Sequence, residues 1–475
     1  MSGLPPPGTL HPGRAGRDDD MTERLRAHAE AIFRAAVERV DPVPMMRRLL
    51  HIEGNLLTVA TEQVSAAYDL SAFERVVVAG MGKATARMAL GLEAVLGDRI
   101  DKGLVSVKAG HVERLERIEV IEAGHPVPDA SSVRAADRLL ALASGLDERT
   151  LVVTLISGGG SALICSPARG RDGAPLFALA EKQEVTRALL ACGATIHEVN
   201  CVRKHLSRIK GGRLARAYQP ATSLNLILSD VVGDDLDVIA SGPTVPDRTT
   251  FRDALEVLGR YGVAGRIPAA ALRTLEAGAV GAHEETPKPG DPAFDRVRNV
   301  LVGTNHQALL AAEARARELG YETMVLTSRL TGEAREAALA LLGIGEDVAV
   351  SGFPLRPPAC LIAGGETTVT VRGGGKGGRN QELALAFLAA LERRSRLPRE
   401  VVLLAASTDG NDGPTDAAGA FASREIAARA RALGLDPVAA LALNDSYGFH
   451  DRAGSLLRTG PTNTNVSDVA VLLVA

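Results

Sequence analysis

The sequence predicts a two-domain α/β protein, with a parallel sheet covered on both faces in the first half and a mixed sheet in the smaller second half. Three observations carry that expectation. Short β-branched runs alternate with amphipathic helical stretches, most strand-like runs are apolar throughout, and 475 residues exceed the usual size of one domain.

The first 21 residues (MSGLPPPGTLHPGRAGRDDDM) carry Pro, Gly and charge without an apolar stretch, so they read as a disordered extension rather than a secretory signal. A helix is expected from Thr22 to Val40, where Leu25, Ala29, Ile32, Phe33, Ala36 and Val40 recur at helical spacing. Strands are expected at Arg75–Ala79, Leu104–Val107, Ile118–Ile121, Leu151–Ile156 and Leu224–Leu228, with helices such as Ser132–Leu146 and Glu181–Ala191 between them. The Pro-bearing stretch AHEETPKPGDP (282–292) suggests a boundary, giving a first domain at 22–265, a linker at 266–294 and a second domain at 295–475. Strands at Val300–Val302, Thr323–Leu326, Val401–Ala405 and Ser467–Val474 belong to the second set. There the stretch 361–371 reads as strand, GGE turn, strand, which makes that sheet mixed.

Composition narrows the function classes. A net charge of −3 argues against a nucleic-acid binder, and no apolar run approaches the roughly 20 residues of a membrane span. Cys165, Cys192, Cys201 and Cys360 show no CxxC pairing, so they are expected as reduced thiols in a cytoplasmic protein. A homodimer stays open.

The chemistry-bearing residues sit where strands end. Ala79-Gly80-Met81-Gly82-Lys83-Ala84-Thr85 joins a strand to a helix, where small residues admit an anion to backbone N–H groups and Lys83 adds a charge. As a dinucleotide fingerprint it fails, because Thr85 stands where the third glycine belongs; as a Walker loop it lacks the leading glycine, since Val77 stands there. Ser157-Gly158-Gly159-Gly160-Ser161 follows the next apolar strand and forms a second candidate nest for a phosphate or carboxylate. In the basic run from Arg203 to Arg213, Lys204 and Arg208 are four apart and could share a helical face, with Lys204 chosen for binding; a solvated basic face is the plain alternative. Asp230, at a strand's end in SDVVGDD, suits Mg²⁺ or a substrate hydroxyl, or else caps a helix. Five glycines around Lys376 lead through Gly377, Gly378 and Arg379 into a helix, another anion signal. Glu366, Asp409 and Asp412 are the candidate metal ligands, with a capped loop as the alternative for the last two.

Together VVVAGMGKA (76–84), GHPVPD (124–129), ISGGGSALI (156–164), VRKHLSRIKGGRLA (202–215), LSDVVGDDLDVIASGPTVPD (228–247), GGETTVTVRGGGKGGRNQELAL (364–385), STDGNDGPTDAAGA (407–420) and GPTNTNVSDV (460–469) closely resemble the MOFRL-type glycerate 2-kinases, sometimes labelled hydroxypyruvate reductases. The resemblance implies a doubly wound, Rossmann-like N-terminal sheet and a smaller C-terminal domain. It further implies phosphorylation of (R)-glycerate to 2-phosphoglycerate by ATP with Mg²⁺ or another divalent cation, in a cleft between the domains. Lys83 and Arg379 match the family's active-site lysine and arginine. The alternative activity is an NAD(P)H-dependent hydroxypyruvate reductase, against which Thr85 speaks; a ligand sensor on the same fold is a third reading.

Overall fold

The computed structural model describes residues 15–62, 64–394 and 397–475; most of the segment expected to be a disordered extension, residues 1–14, lies outside the described residues. The chain divides into two compact units, one of Val40–Thr304 with Asn463–Val466, the other holding the N-terminal helix, Asn305–Thr462 and Ser467–Ala475.

The first unit opens with a three-stranded antiparallel sheet that the sequence reading did not find: β1 (Leu50–Glu53), β2 (Leu56–Ala60) and β3 (Ser65–Asp69). Next come β4 (Arg75–Met81), β5 (Lys102–Lys108), β6 (Ile118–Ala123), β7 (Thr150–Ile156), β8 (Thr222–Leu228) and β9 (Val297–Gly303). They form one sheet in the order β6-β5-β4-β7-β8-β9, parallel throughout. The β4, β7 and β8 side chains are almost all buried, as a sheet covered on two faces requires. From β4 the chain winds outward to β6, then returns to the far side of β4 with β7. That reversal between β4 and β7 is the switch point at which open α/β sheets bind ligands.

A second core in this unit is purely helical. Val185, Leu189, Val202, Phe251, Leu258 and Leu275 meet there, from the helices Leu179–Ala191, Ile196–His205, Phe251–Arg260 and Ala269–Ala279. The region 266–294 is thus not a linker. It contributes a packed helix, and β9, expected in the second domain, pairs with β8 as the edge of the first sheet.

The other unit contains β10 (Glu322–Leu330), β11 (Ala359–Gly365), β12 (Val401–Ser407), β13 (Gly419–Ala422), β14 (Leu456–Leu457) and β15 (Asp468–Val474), in the order β10-β11-β15-β12-β13-β14. It is mixed, but not through a GGE hairpin: residues 367–371 form no strand. Instead β15 runs antiparallel between β11 and β12. The N-terminal helix spans Ala15–Arg39, starting before Thr22, and its packing corrects the first-domain boundary at residue 22. Its buried stripe of Leu25, Ala29, Ile32, Phe33 and Ala36 lies against the helix Asn305–Glu318 and strands β12 and β15. Burying side chains the size of Leu, Ile and Phe contributes about 1.5–3 kcal/mol each, so an apolar stripe goes where a sheet face needs covering, whatever its place in the chain.

Candidate active site

In the first unit, the loops after β4 and β7 are joined by hydrogen bonds. Lys83 N donates to Gly158 O (2.9 Å) and Ser157 N to Met81 O (3.0 Å). Buried Ser157 accepts at Oγ from Ala84 N (3.1 Å) and lies 3.1 Å from the Thr85 hydroxyl, at the start of the helix Thr85–Leu96. Its hydroxyl therefore ties the two loops together, and its N–H, expected to hold an anion, is engaged by Met81 O. Thr85, where a dinucleotide site would have glycine, completes the tie. Gly80 and Gly82 lie within the same joint.

Gly158 and Gly159 bring the charged groups to the loop. A Cβ on Gly158 would fall 1.8 Å from Asp230 Oδ2, so the carboxylate at the end of β8 rests directly against the backbone. Gly159 is left-handed (φ +82°), and a Cβ there would lie 2.9 Å from the His125 ring and 3.3 Å from Lys83 Cγ. Gly80, Gly82, Lys83, Ser157 to Gly160 and Asp230 thus converge at the β4–β7 switch point. The Lys83 side chain makes no hydrogen bond or ion pair among the described residues. His125, which in the sequence is one residue of the motif GHPVPD with no signal of its own, joins them.

Ser161 faces a different environment. Its hydroxyl accepts from Arg203 Nη2 (2.6 Å) and Lys210 Nζ (2.8 Å) and lies 2.7 Å from Ser241 Oγ. Burial lowers the pKa of both cations, that of Lys210 far below the usual lysine range. These two residues buttress the short helix Gly160–Leu163 from beneath.

Lys204 does not join the loops. Its side chain is 1% exposed and its ammonium bonds the Asp237 and Asp247 carboxylates, so the binding role expected of it is replaced by a buried ion pair. Asp247 would be raised by burial, but Lys204 and the Thr249 donors hold it below the ordinary carboxylate range. Nor does Arg208 share a helical face with Lys204, since the helix ends at His205. A cavity of about 630 Å³, lined by Arg208, Arg213 and Arg216 among others, shares no lining residue with the glycine loops. Arg208 there pairs with Asp137, and Arg216 with Glu284 and Asp291.

In the other unit the chemistry gathers at one sheet edge. Because β15 is antiparallel to both neighbours, its first residue, Asp468, lies opposite Gly365 and Ser407, the last residues of β11 and β12. Arg379 opens the helix Arg379–Glu392 and presents Nε and Nη2 to the two Asp468 oxygens (2.5 and 2.9 Å) and Nη1 to Glu366 (2.8 Å). Burial works against its charge, but Asp468 and Glu366 more than offset this and raise its pKa above the usual arginine value. Asp468 escaped the sequence reading because a single aspartate at a strand start carries no local signal.

The candidate metal ligands are otherwise engaged. Buried Asp412 accepts from Asn380 N (3.1 Å) and Gln381 N (2.8 Å), capping the helix that Arg379 opens. Burial pushes its pKa up to about 6. Asp409 accepts at Oδ1 from Ser407 Oγ and Asn411 N, both 2.9 Å, and Glu366 holds Arg379. Among the described residues no group of three His, Cys, Asp or Glu side chains is placed to hold a metal ion, so a cation here would take one or two of these carboxylates and complete its shell with water or phosphate oxygens. Close packing accounts for Gly377 and Gly378, which lie against Ser446 and Asp412 with no room for a Cβ.

Comparison with known proteins shows the family to which the chain is related. A family model described as a domain of unknown function (DUF4147) matches residues 28–276, and one described as the MOFRL family matches residues 359–468. The chain is 44% identical over 402 residues to the D-glycerate 2-kinase of Thermotoga maritima, covering 84% of this chain and 91% of that protein. A protein of Agrobacterium vitis with a provisional hydroxypyruvate reductase name is 44% identical over 402 residues, covering 84% of this chain and 87% of its own. The crystal structure of a Thermotoga maritima glycerate kinase superposes with a TM-score of 0.82 at 40% identity, covering 95% of this chain and all of that one. No helix among the described residues is long and apolar enough to cross a membrane.

Proposed function

Because the chain belongs to the MOFRL-type glycerate kinase family, we propose that it transfers the terminal phosphoryl group of ATP to the 2-hydroxyl of (R)-glycerate, releasing ADP and 2-phosphoglycerate. The observation that carries this reading is the joint of two strand-end loops at the β4–β7 switch point, with the Lys83 ammonium unpartnered beside it.

Phosphoryl transfer asks the protein mainly for positioning and charge. Backbone N–H groups of the loop from Gly158 to Gly160 receive an anionic oxygen, and Lys83 neutralises charge building on the transferred group. Asp230, resting on Gly158, orients the acceptor hydroxyl and takes its proton as the oxygen attacks phosphorus. Arg379, held in a fixed fork by Asp468 and Glu366, is the second cation assigned to the reaction, on the strength of its motif. Mg²⁺ or another divalent cation, if bound with the nucleotide, would neutralise part of its phosphate charge. The reductase reading finds less support, because Thr85 fills the place of the third fingerprint glycine.

ADP release dependent on D-glycerate, with phosphorus NMR of the product, tests the proposal. The expected product is 2-phosphoglycerate, and Lys83→Ala and Arg379→Ala should each lower kcat at least a hundredfold. Near wild-type kcat in both variants refutes the residue roles. Oxidation of NAD(P)H by hydroxypyruvate without ATP turnover refutes the activity.

A further inference from the structure

We propose that His125 and Lys108 form the subsite for the acceptor's carboxylate, with the His125 imidazole donating a hydrogen bond to it and Lys108 supplying the charge. The inference rests on the kinase reading above and adds two residues to it.

The placement follows from the first sheet. Lys108 ends β5 and lies in register with Ala123, the last residue of β6, two positions before His125. The turn that carries His125 is fixed beyond it by Asp129, which caps the helix Ala130–Ala143 by accepting from Ser132 N (2.9 Å). Gln183 Nε2 donates to Pro128 O (2.7 Å) and holds the turn from its other side. The imidazole is thereby laid against the α-carbon of Gly159, on the loop that Lys83 joins.

Two features point to a ligand. The half-buried His125 ring makes no hydrogen bond among the described residues, and neither does the Lys108 ammonium. Both ring nitrogens are therefore free to exchange water for a ligand oxygen. The charged groups that act on His125 through space are basic, namely Lys83, Lys108 and His111. Burial first, then these neighbours, lower its pKa to about 4, so at neutral pH the ring is an uncharged donor inside a positive wall. Such a wall suits a small carboxylate. Lys83 is left for the phosphoryl group, and Asp230 faces the hydroxyl from the β8 side.

The test is steady-state kinetics of His125→Leu, His125→Asn, His125→Gln and Lys108→Met in the full chain. Leu should lower kcat/KM for D-glycerate 10- to 100-fold while KM for ATP stays within twofold. One of the amides, which can place an N–H where the imidazole has one, should restore a large part of the loss; Lys108→Met should raise KM for D-glycerate. Loss without rescue by either amide, loss shared equally by ATP, or unchanged kcat/KM in the Leu variant each overturns the subsite. Wild-type protein gives a readout independent of the variants' folding. D-glycerate should protect His125 from carbethoxylation, followed by peptide mass spectrometry, while exposed His197 reacts unchanged; equal reaction of His125 with and without D-glycerate is the refuting result. A wild-type enzyme that turns over D-glycerate with indifferent His125 variants sinks this inference alone, whereas a wild-type enzyme without such turnover sinks the kinase reading itself.

Discussion

Replacing Lys204 by Met separates a structural cation from a binding one. The side chain keeps its length and apolar stem but loses the charge that faces Asp237 and Asp247. Asp237 is 39% exposed and loses little, whereas Asp247 is 0% exposed and is left as a buried carboxylate without its nearest cation. Breaking a buried pair by removing one partner costs about 3–5 kcal/mol. Asp247 keeps Thr249 N (3.0 Å), Thr249 Oγ1 (2.7 Å) and Thr286 Oγ1 (3.0 Å), which places the loss near the lower end. For a unit of this size, a loss of about 3 kcal/mol lowers the melting temperature by roughly 6–12 °C, readable by scanning calorimetry. Well below that transition, KM for D-glycerate and for ATP should match wild type. The pH dependence carries a second signature. In wild type the pKa of Asp247 is depressed, so its stabilisation is present above the unfolded carboxylate value and lost as pH falls through the folded one. Without Lys204 that carboxylate is protonated more easily, so the gap between variant and wild type should be widest at neutral pH and narrow towards pH 4. A melting temperature within 2 °C of wild type, together with a tenfold rise in either KM, would refute the reasoning and return Lys204 to substrate binding.

Gly158→Ala would place a methyl group where the Asp230 carboxylate lies, so kcat should fall at least tenfold with only a small change in melting temperature; unchanged kcat/KM would remove Asp230 from the reaction. The raised pKa of Asp412 means that the folded protein binds this proton more tightly than the unfolded chain. Its contribution should therefore reduce stability as pH rises from about 4 through about 6, by up to roughly 3 kcal/mol for a rise from 3.8 to about 6. Asp412→Asn should flatten that part of the curve of melting temperature against pH, and an identical slope in the variant would contradict the assignment.

The alternation of apolar strands and helices was legible in the sequence because continuous Val, Leu and Ile runs such as LVVTLI have no other stable place than a sheet covered on both faces. Strand-end loops bearing Gly82, Lys83, Gly158 and Asp230 were legible for a related reason, since glycine beside charge marks places where backbone and charged groups approach closely. The antiparallel sheet of β1–β3 was missed, as its strands alternate weakly and expose one face.

What the sequence determined by itself is local: which stretches are strand or helix, which termini carry glycine and charge, and which family's motifs run through the chain. Only the tertiary structure decided partnership. It assigned β9 to the first sheet and the N-terminal helix to the unit built on β10–β15, buried Lys204 against Asp247, turned Asp412 into a helix cap and brought His125 to Gly159. The physical reason is that burial, desolvation and ion pairing depend on distances between residues tens to hundreds of positions apart. Periodicity and motif spacing record only neighbours along the chain.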